Sequence, residues 1–301
     1  MAAITAERLS KSYRGVEVLQ AIDLVVEDGG VSAFLGPNGA GKTTLVEILE
    51  GHRGRDGGSL SVVGLDPGHV VDFRRLRKVI GVVMQQTLLE PGLNPLDLLR
   101  RQGSYYPDPV PTDESIARFG LAEFSRKPVR SLSGGMRRRL DLALAFVGRP
   151  QVLFLDEPST GLDPVSRHSI RGLISDANAS GVTVVLTSHD LEEVQQLADT
   201  VHILRDGRFT ASGTPRDIVK LSEAPGRIEF DLPPVGCDSL PNGGTVVGTR
   251  VRYLSASHGE LLAHLRRWEA DTGGDLGDLT IAAPTLDDAY VRLVGAPETD
   301  A

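Results

Sequence analysis

The sequence predicts an α/β protein. Its core of alternating strands and helices carries an N-terminal antiparallel β subdomain and a helical subdomain at about 87–150, and a small C-terminal α+β module follows. Three observations point there. A glycine-rich loop stands between an apolar run and a helix-forming run. Further short apolar runs each end in a polar residue and lead into a helical pattern. The texture also changes twice, to proline-punctuated helix after residue 87 and to mixed strand and helix signals after residue 224.

The glycine-rich loop is Gly36, Pro37, Asn38, Gly39, Ala40, Gly41, Lys42 and Thr43, followed by Thr44. Its spacing, G-x-x-x-x-G-K-T, is the P-loop pattern. Glycines let backbone N–H groups approach an anion closely, and the first turn of a helix leaves N–H groups unpartnered at its positive end. Lys42 adds a mobile charge for terminal phosphates, and the Thr43 hydroxyl is placed to ligate Mg²⁺. The core is therefore that of a P-loop NTPase, which binds a nucleoside triphosphate.

Before the loop, residues 4–9 alternate as a half-buried strand and 16–24 give similar signals. Tyr13 falls between them, where a surface loop aromatic is the plainer reading. After the P-loop helix, 60–64 reads as a strand, 72–78 as a short charged helix, and 80–84 as a buried strand ending at Gln85. A polar residue at such a strand tip is where α/β folds place ligand contacts, although a solvated loop amide is equally common. Prolines at 91, 95, 107, 109 and 111 then punctuate an insertion over 87–127.

Ser133, Gly134 and Gly135 open the next helix, a second potential anion site by the physics of the first. The basic run Arg137, Arg138 and Arg139 reads as a solvated helix face. The apolar run 152–155 ends in Asp156 and Glu157. A P-loop protein needs an acid on a neighbouring strand tip for Mg²⁺, which suits Asp156 and leaves Glu157 to orient or deprotonate water. Asp163 and Pro164 turn into a helix of about three turns, and 182–188 reads as a further strand with His189 at its tip. A lone histidine is more often structural, but the end of a sheet strand in a P-loop fold favours a phosphate contact. A helix over 190–198 and a strand pair across Asp206 and Gly207 complete this part.

A linker is expected near Ala224, dividing a first domain, 1–222, from an accessory α+β domain, 226–301. Strands are expected at 227–232 and twice within 245–254, and helices after Ser257 and Thr285, each opened by a capping-box pattern. This module holds no catalytic constellation.

Bulk properties narrow the class. A net charge of -8 argues against general affinity for nucleic acid. The lone Cys237 excludes an internal disulfide and reads as an unremarkable thiol. The N-terminus lacks a signal-peptide core, and no apolar run approaches the roughly 20 residues that span a bilayer.

Tyr13, G-P-N-G-A-G-K-T, Gln85, L-S-G-G-M, V-L-F-L-D-E-P, S-T-G-L-D and His189 stand together in one order. Over about the first 220 residues the chain resembles the nucleotide-binding subunit of an ATP-binding-cassette (ABC) transporter. Tyr105, Tyr106, the run after Ser133 and the segment 284–293 resemble the bacterial drug and antibiotic exporter branch. The resemblance implies that Tyr13 stacks on adenine, Gln85 touches Mg²⁺ and the attacking water, Asp156 partners Mg²⁺, Glu157 is the general base and His189 holds the γ-phosphate. It also implies a head-to-tail homodimer in which Ser133, Gly134 and Gly135 serve the opposite subunit and Asp163 lies at the seam. A separate transmembrane permease would dock on the helical insertion, fixing the chain peripherally to the cytoplasmic face of the membrane, with ATP and Mg²⁺ as cofactors and no nucleic acid. A soluble cassette protein acting on nucleic acid or ribosomes is the alternative, and so is a regulatory module that hydrolyses poorly. The first lacks a second cassette or zinc cysteines here, and intact Glu157 and His189 speak against the second.

Overall fold

The computed structural model describes residues 1–86, 89–232, 240–241, 243–255, 257–272 and 276–295. Cys237 and the first residue of the expected insertion, Thr87, lie outside them. The chain divides into two compact units, Met1–Pro215 and Arg216–Ala301.

In the first unit, β1 (Ala2–Tyr13), β2 (Val16–Glu27) and β4 (Gly57–Val62) form an antiparallel sheet in the order β2-β1-β4. A six-stranded sheet has the order β5-β6-β7-β3-β8-β9, built from β3 (Val31–Leu35), β5 (Ile80–Val83), β6 (Val152–Asp156), β7 (Thr183–Thr187), β8 (Thr200–Arg205) and β9 (Arg208–Gly213). All its pairings are parallel except β8 with β9. Strands β3 and β7 are buried along their whole length, which is why they read as continuous apolar runs. Helix α1 (Lys42–Leu49) sits between the sheets. Its Leu45, Ile48 and Leu49 share one buried cluster with Ile4 and Leu24 of the small sheet and Phe34 and Phe154 of the large one.

Parallel pairing aligns the strand tips. Val83 pairs with Leu155, Asp156 with Thr187, and Phe34 also with Thr187. The residues that follow β5, β6, β7 and β3 therefore emerge along one edge. Helix α2 spans Val70–Leu76, shifted two residues toward the N-terminus of the expected 72–78. The helical part comprises α3 (Pro95–Gly103), α4 (Thr112–Arg118) and α5 (Gly134–Phe146), with Pro95 in the first turn of α3 and Asn94 capping it. Helix α6 (Pro164–Ala179) runs for 16 residues, longer than the three turns expected, because Ile170, Ile174 and Ala177 continue one buried face. Helix α7 is Leu191–Leu197. The β8–β9 turn forms as expected, with Asp206 and Gly207 both at positive φ, 48° and 73°, as a type I′ hairpin requires.

The division falls at the start of α8 (Pro215–Leu221), a helix the sequence did not announce, so all of α8 but its first residue belongs to the second unit. Its antiparallel sheet, β11-β12-β10-β13, is made of β10 (Gly226–Asp231), β11 (Thr245–Val247), β12 (Arg250–Ser255) and β13 (Thr280–Ala282). Phe230, Val251 and Tyr253 pack with Leu265 and Trp268 of α9 (His258–Thr272). The Thr285–Asp288 capping box forms at the start of α10 (Leu286–Val294). Among the described residues no helix is long and apolar enough to cross a membrane.

Candidate nucleotide site

Two glycines of the loop are sterically obligatory. At Gly36, φ is 154° and a Cβ would stand 2.1 Å from the Leu204 carbonyl oxygen. At Gly41, the α1 N-cap, φ is 106° and a Cβ would meet Leu19 and the Val18 carbonyl at 2.9 Å. Lys42 turns back over the loop, and its Nζ donates to the carbonyl oxygens of Gly36 (2.7 Å) and Pro37 (3.1 Å). Burial lowers its pKa, while the carboxylates of Glu157 and Asp156 act in the opposite direction.

A cavity of about 370 Å³ opens over this loop, and Tyr13, Lys42, Thr43, Gln85, Asp156 and Glu157 line it. Asn38, Gly39, Gly41 and Thr44 complete its floor, while Ala40 is buried beneath. Tyr13 is not a loop residue: it ends β1, its hydroxyl is buried, and the Arg53 guanidinium lies 5.3 Å from its ring centre. Thr43, Gln85 and Asp156 also share an adjoining cavity of about 270 Å³.

The catalytic-type groups sit at adjacent tips. Asp156 accepts a hydrogen bond from the Thr187 hydroxyl at 2.5 Å. Glu157 has φ 50°, a left-handed conformation that costs a non-glycine residue roughly 1–3 kcal/mol. Its N–H donates to Thr187, its Oε2 accepts from the Thr160 hydroxyl at 2.9 Å, and the same oxygen lies 2.5 Å from His189 Nδ1. Its side chain is 13% exposed against 70% for His189, so a half-buried carboxylate meets an open imidazole.

Ser133, Gly134, Gly135 and Asp163 are elsewhere on the same unit. Ser133 caps α5, its hydroxyl accepting the Met136 N–H, and it lines a separate cavity of about 460 Å³ with Gly135, Met136 and Ser166. Gly134 packs near Leu162. Asp163 caps α6 and accepts from both the N–H and the hydroxyl of Ser166, which hold its pKa below the usual carboxylate range. A Cβ on Gly135 would lie 2.4 Å from the Ser166 hydroxyl, so the two helix starts are in direct contact. One chain thus brings together the first set of residues and leaves the second set outside its P-loop cavity.

The comparisons with known proteins agree with this geometry. Residues 19–160 match the ABC transporter family. Over 306 residues the chain is 38% identical to the daunorubicin resistance ATP-binding protein DrrA3 of Streptomyces coeruleorubidus, covering 97% of this chain and 96% of that one. The chain belongs to the ABC transporter family. It is also 34% identical over 314 residues to the Nod factor export ATP-binding protein I of Ralstonia nicotianae, covering 99% and 95%. The solved structure of cbiO1 from Clostridium perfringens, part of an ABC transporter complex, aligns with a TM-score of 0.65 and 28% identity over 73% of this chain and 91% of that one. The chain is accordingly an ABC ATPase, and ATP is the nucleotide that the family's P-loop cavity takes.

Three supporting side chains of this ABC cassette escaped sequence reasoning. Arg138 is 8% exposed, which corrects the solvated-face reading of the basic run: Arg137 is exposed, Arg139 half-buried and Arg138 buried. Its guanidinium donates to main-chain carbonyls at the ends of β5 and β6. Thr187 binds both Asp156 and Glu157. Glu193, fully buried on α7, accepts the Ser188 hydroxyl at 2.7 Å beside His189, and burial raises its pKa. An arginine flanked by arginines and a threonine inside an apolar strand carry no local signal of such roles.

Proposed function

We propose that this chain powers export of a drug, antibiotic or lipid-like compound through a separate membrane permease, as an ATP-driven head-to-tail dimer on the cytoplasmic face of the membrane. The observation that carries the export reading is full-length similarity to subunits named for drug resistance and Nod factor export, reaching through the second unit as well as the cassette. That similarity and the net charge of -8 disfavour the nucleic-acid alternative. The C-terminal domain expected at 226–301 is, in this reading, an accessory module that regulates or stabilises the dimer.

In this reading Tyr13 stacks on the adenine, and the N–H groups between Gly36 and Thr44 cradle the phosphates. Lys42 bears on the terminal phosphates. Thr43, Gln85 and Asp156 fit Mg²⁺: they give a hydroxyl, an amide oxygen and a carboxylate around one cavity, the hard oxygen donors that cation takes. When bound, Mg²⁺ neutralises charge on the β- and γ-phosphate oxygens. Glu157 accepts a proton from a water aimed at the γ-phosphorus. The new oxygen–phosphorus bond forms as the β–γ bridging bond breaks, and ADP and inorganic phosphate result. His189 holds the γ-phosphate opposite. The P-loop covers one side of the triphosphate, so Ser133, Gly134 and Gly135 of a second copy supply donors to the other side and exclude solvent, with Asp163 at the seam.

Inside-out vesicles carrying the chain with its co-purified permease test the direction. Export predicts ATP-dependent uptake of an amphipathic drug that is lost with Glu157→Gln; uptake confined to right-side-out vesicles contradicts it.

A further inference from the structure

We propose that Arg138 is a positioning residue for hydrolysis, tying the helix that begins at Ser133 to the catalytic strand tips of its own subunit. The guanidinium donates through Nη1 to the Met84 carbonyl (2.7 Å), through Nε to Pro158 (2.7 Å), and through Nη2 to Asp156 (2.9 Å) and Glu157 (2.6 Å). Met84 immediately precedes Gln85, and the other three carbonyls belong to the Asp156–Pro158 turn. One side chain therefore holds the main chain on both sides of the cavity that Gln85, Asp156 and Glu157 line.

The arrangement uses what distinguishes arginine. Five N–H donors in a rigid planar fork satisfy four carbonyls that point to one place, whereas a lysine ammonium has three donors at a point. Glu157 needs such support because its backbone is left-handed. Thr187 fixes its N–H side and Arg138 fixes its carbonyl side, so its carboxylate is aimed by two anchors on different elements. Arg138 stands one turn into α5, whose N-cap is Ser133. Movement of that helix start is thereby transmitted to the general base through a single buried fork. This rests on the hydrolytic roles given above to Glu157 and Gln85.

The test is steady-state ATP hydrolysis by the full chain carrying Arg138→Met or Arg138→Lys, with ATP affinity and melting temperature measured alongside. Misaiming a reacting group by about 1 Å costs on the order of 100-fold. Arg138→Met is thus expected to lower kcat by about that factor while ATP affinity stays within about threefold, and Arg138→Lys to recover about tenfold of the loss. Added to Glu157→Gln, Arg138→Met should lower turnover by at most about tenfold, well short of its effect alone, because one of the groups it aims is gone; a full further loss of about 100-fold overturns the aiming of Glu157. A folded Arg138→Met chain with wild-type kcat overturns the proposal, as does a loss of kcat matched by an equal loss of ATP affinity. Should Arg138→Met not fold, a folded Arg138→Lys chain with wild-type kcat overturns it equally. Wild-type turnover by Glu157→Gln alone would remove the general base instead, a failure distinct from that of Arg138.

Discussion

His189 Nδ1 lies 2.5 Å from Oε2 of Glu157, joining the tip of β7 to the tip of β6, where Glu157 lines the nucleotide cavity. The contact pairs the proposed base with the proposed γ-phosphate ligand. Glu157→Gln is expected to bind ATP, hydrolyse it at least about 100-fold more slowly, and accumulate as a dimer with ATP and Mg²⁺. His189→Ala should lose turnover in the same range with ATP affinity retained. Phosphate release and size-exclusion chromatography measure both effects, and wild-type turnover in Glu157→Gln contradicts the base role.

Lys42 shows its reach by donating to two loop carbonyls over the cavity floor. Lys42→Ala removes a charged donor, so ATP affinity should fall about 100-fold or more. Titration calorimetry reads this directly, and near-normal affinity contradicts the phosphate role.

His202 gives the cassette an acid limit. The ring is 6% exposed, packed between Phe34 and Phe209; Nδ1 meets the Ser212 hydroxyl, and Nε2 is buried without a partner. Burial pushes its pKa from the ordinary 6.5 to about 4. The unfolded chain therefore takes up a proton that the folded chain refuses. Stability from this group is complete above pH 6.5 and is lost as pH falls toward 4, by about 2 kcal/mol between pH 7 and 5. Denaturant titrations should show that slope in the wild type and its disappearance in His202→Phe; equal slopes contradict it.

A chain truncated after Ala224 should retain nucleotide binding, since every cavity-lining residue precedes that point. Dimer stability or regulation should change instead. Loss of ATP binding in folded truncated protein contradicts the proposed division.

Much of the site was legible because parallel strands are short, apolar and polar-tipped. Gln85, Asp156 and His189 stand out as interruptions at ends of buried runs, and the P-loop announces itself by its G-x-x-x-x-G-K-T spacing between a strand and a helix. What the sequence concealed depends on contacts distant in the chain. Tyr13 reads as a loop aromatic because the pairing that carries β1 to it, Tyr13 with Val16, is a fact of register. Arg138 reads as solvated because its four acceptors are carbonyls, invisible to residue type. The left-handed Glu157 carries no signal, since glycine is the usual marker of that conformation. Strand β13 has three residues, too few for a period to show.

The composite pocket itself is tested most directly by a photoreactive ATP bearing its reactive group on the γ-phosphate. Wild-type chains are mixed with Lys42→Ala chains, which should not hold nucleotide themselves. Label on the Ser133–Met136 segment of the Lys42→Ala chain is the result expected of two copies that share each nucleotide; label confined to the wild-type chain would contradict it.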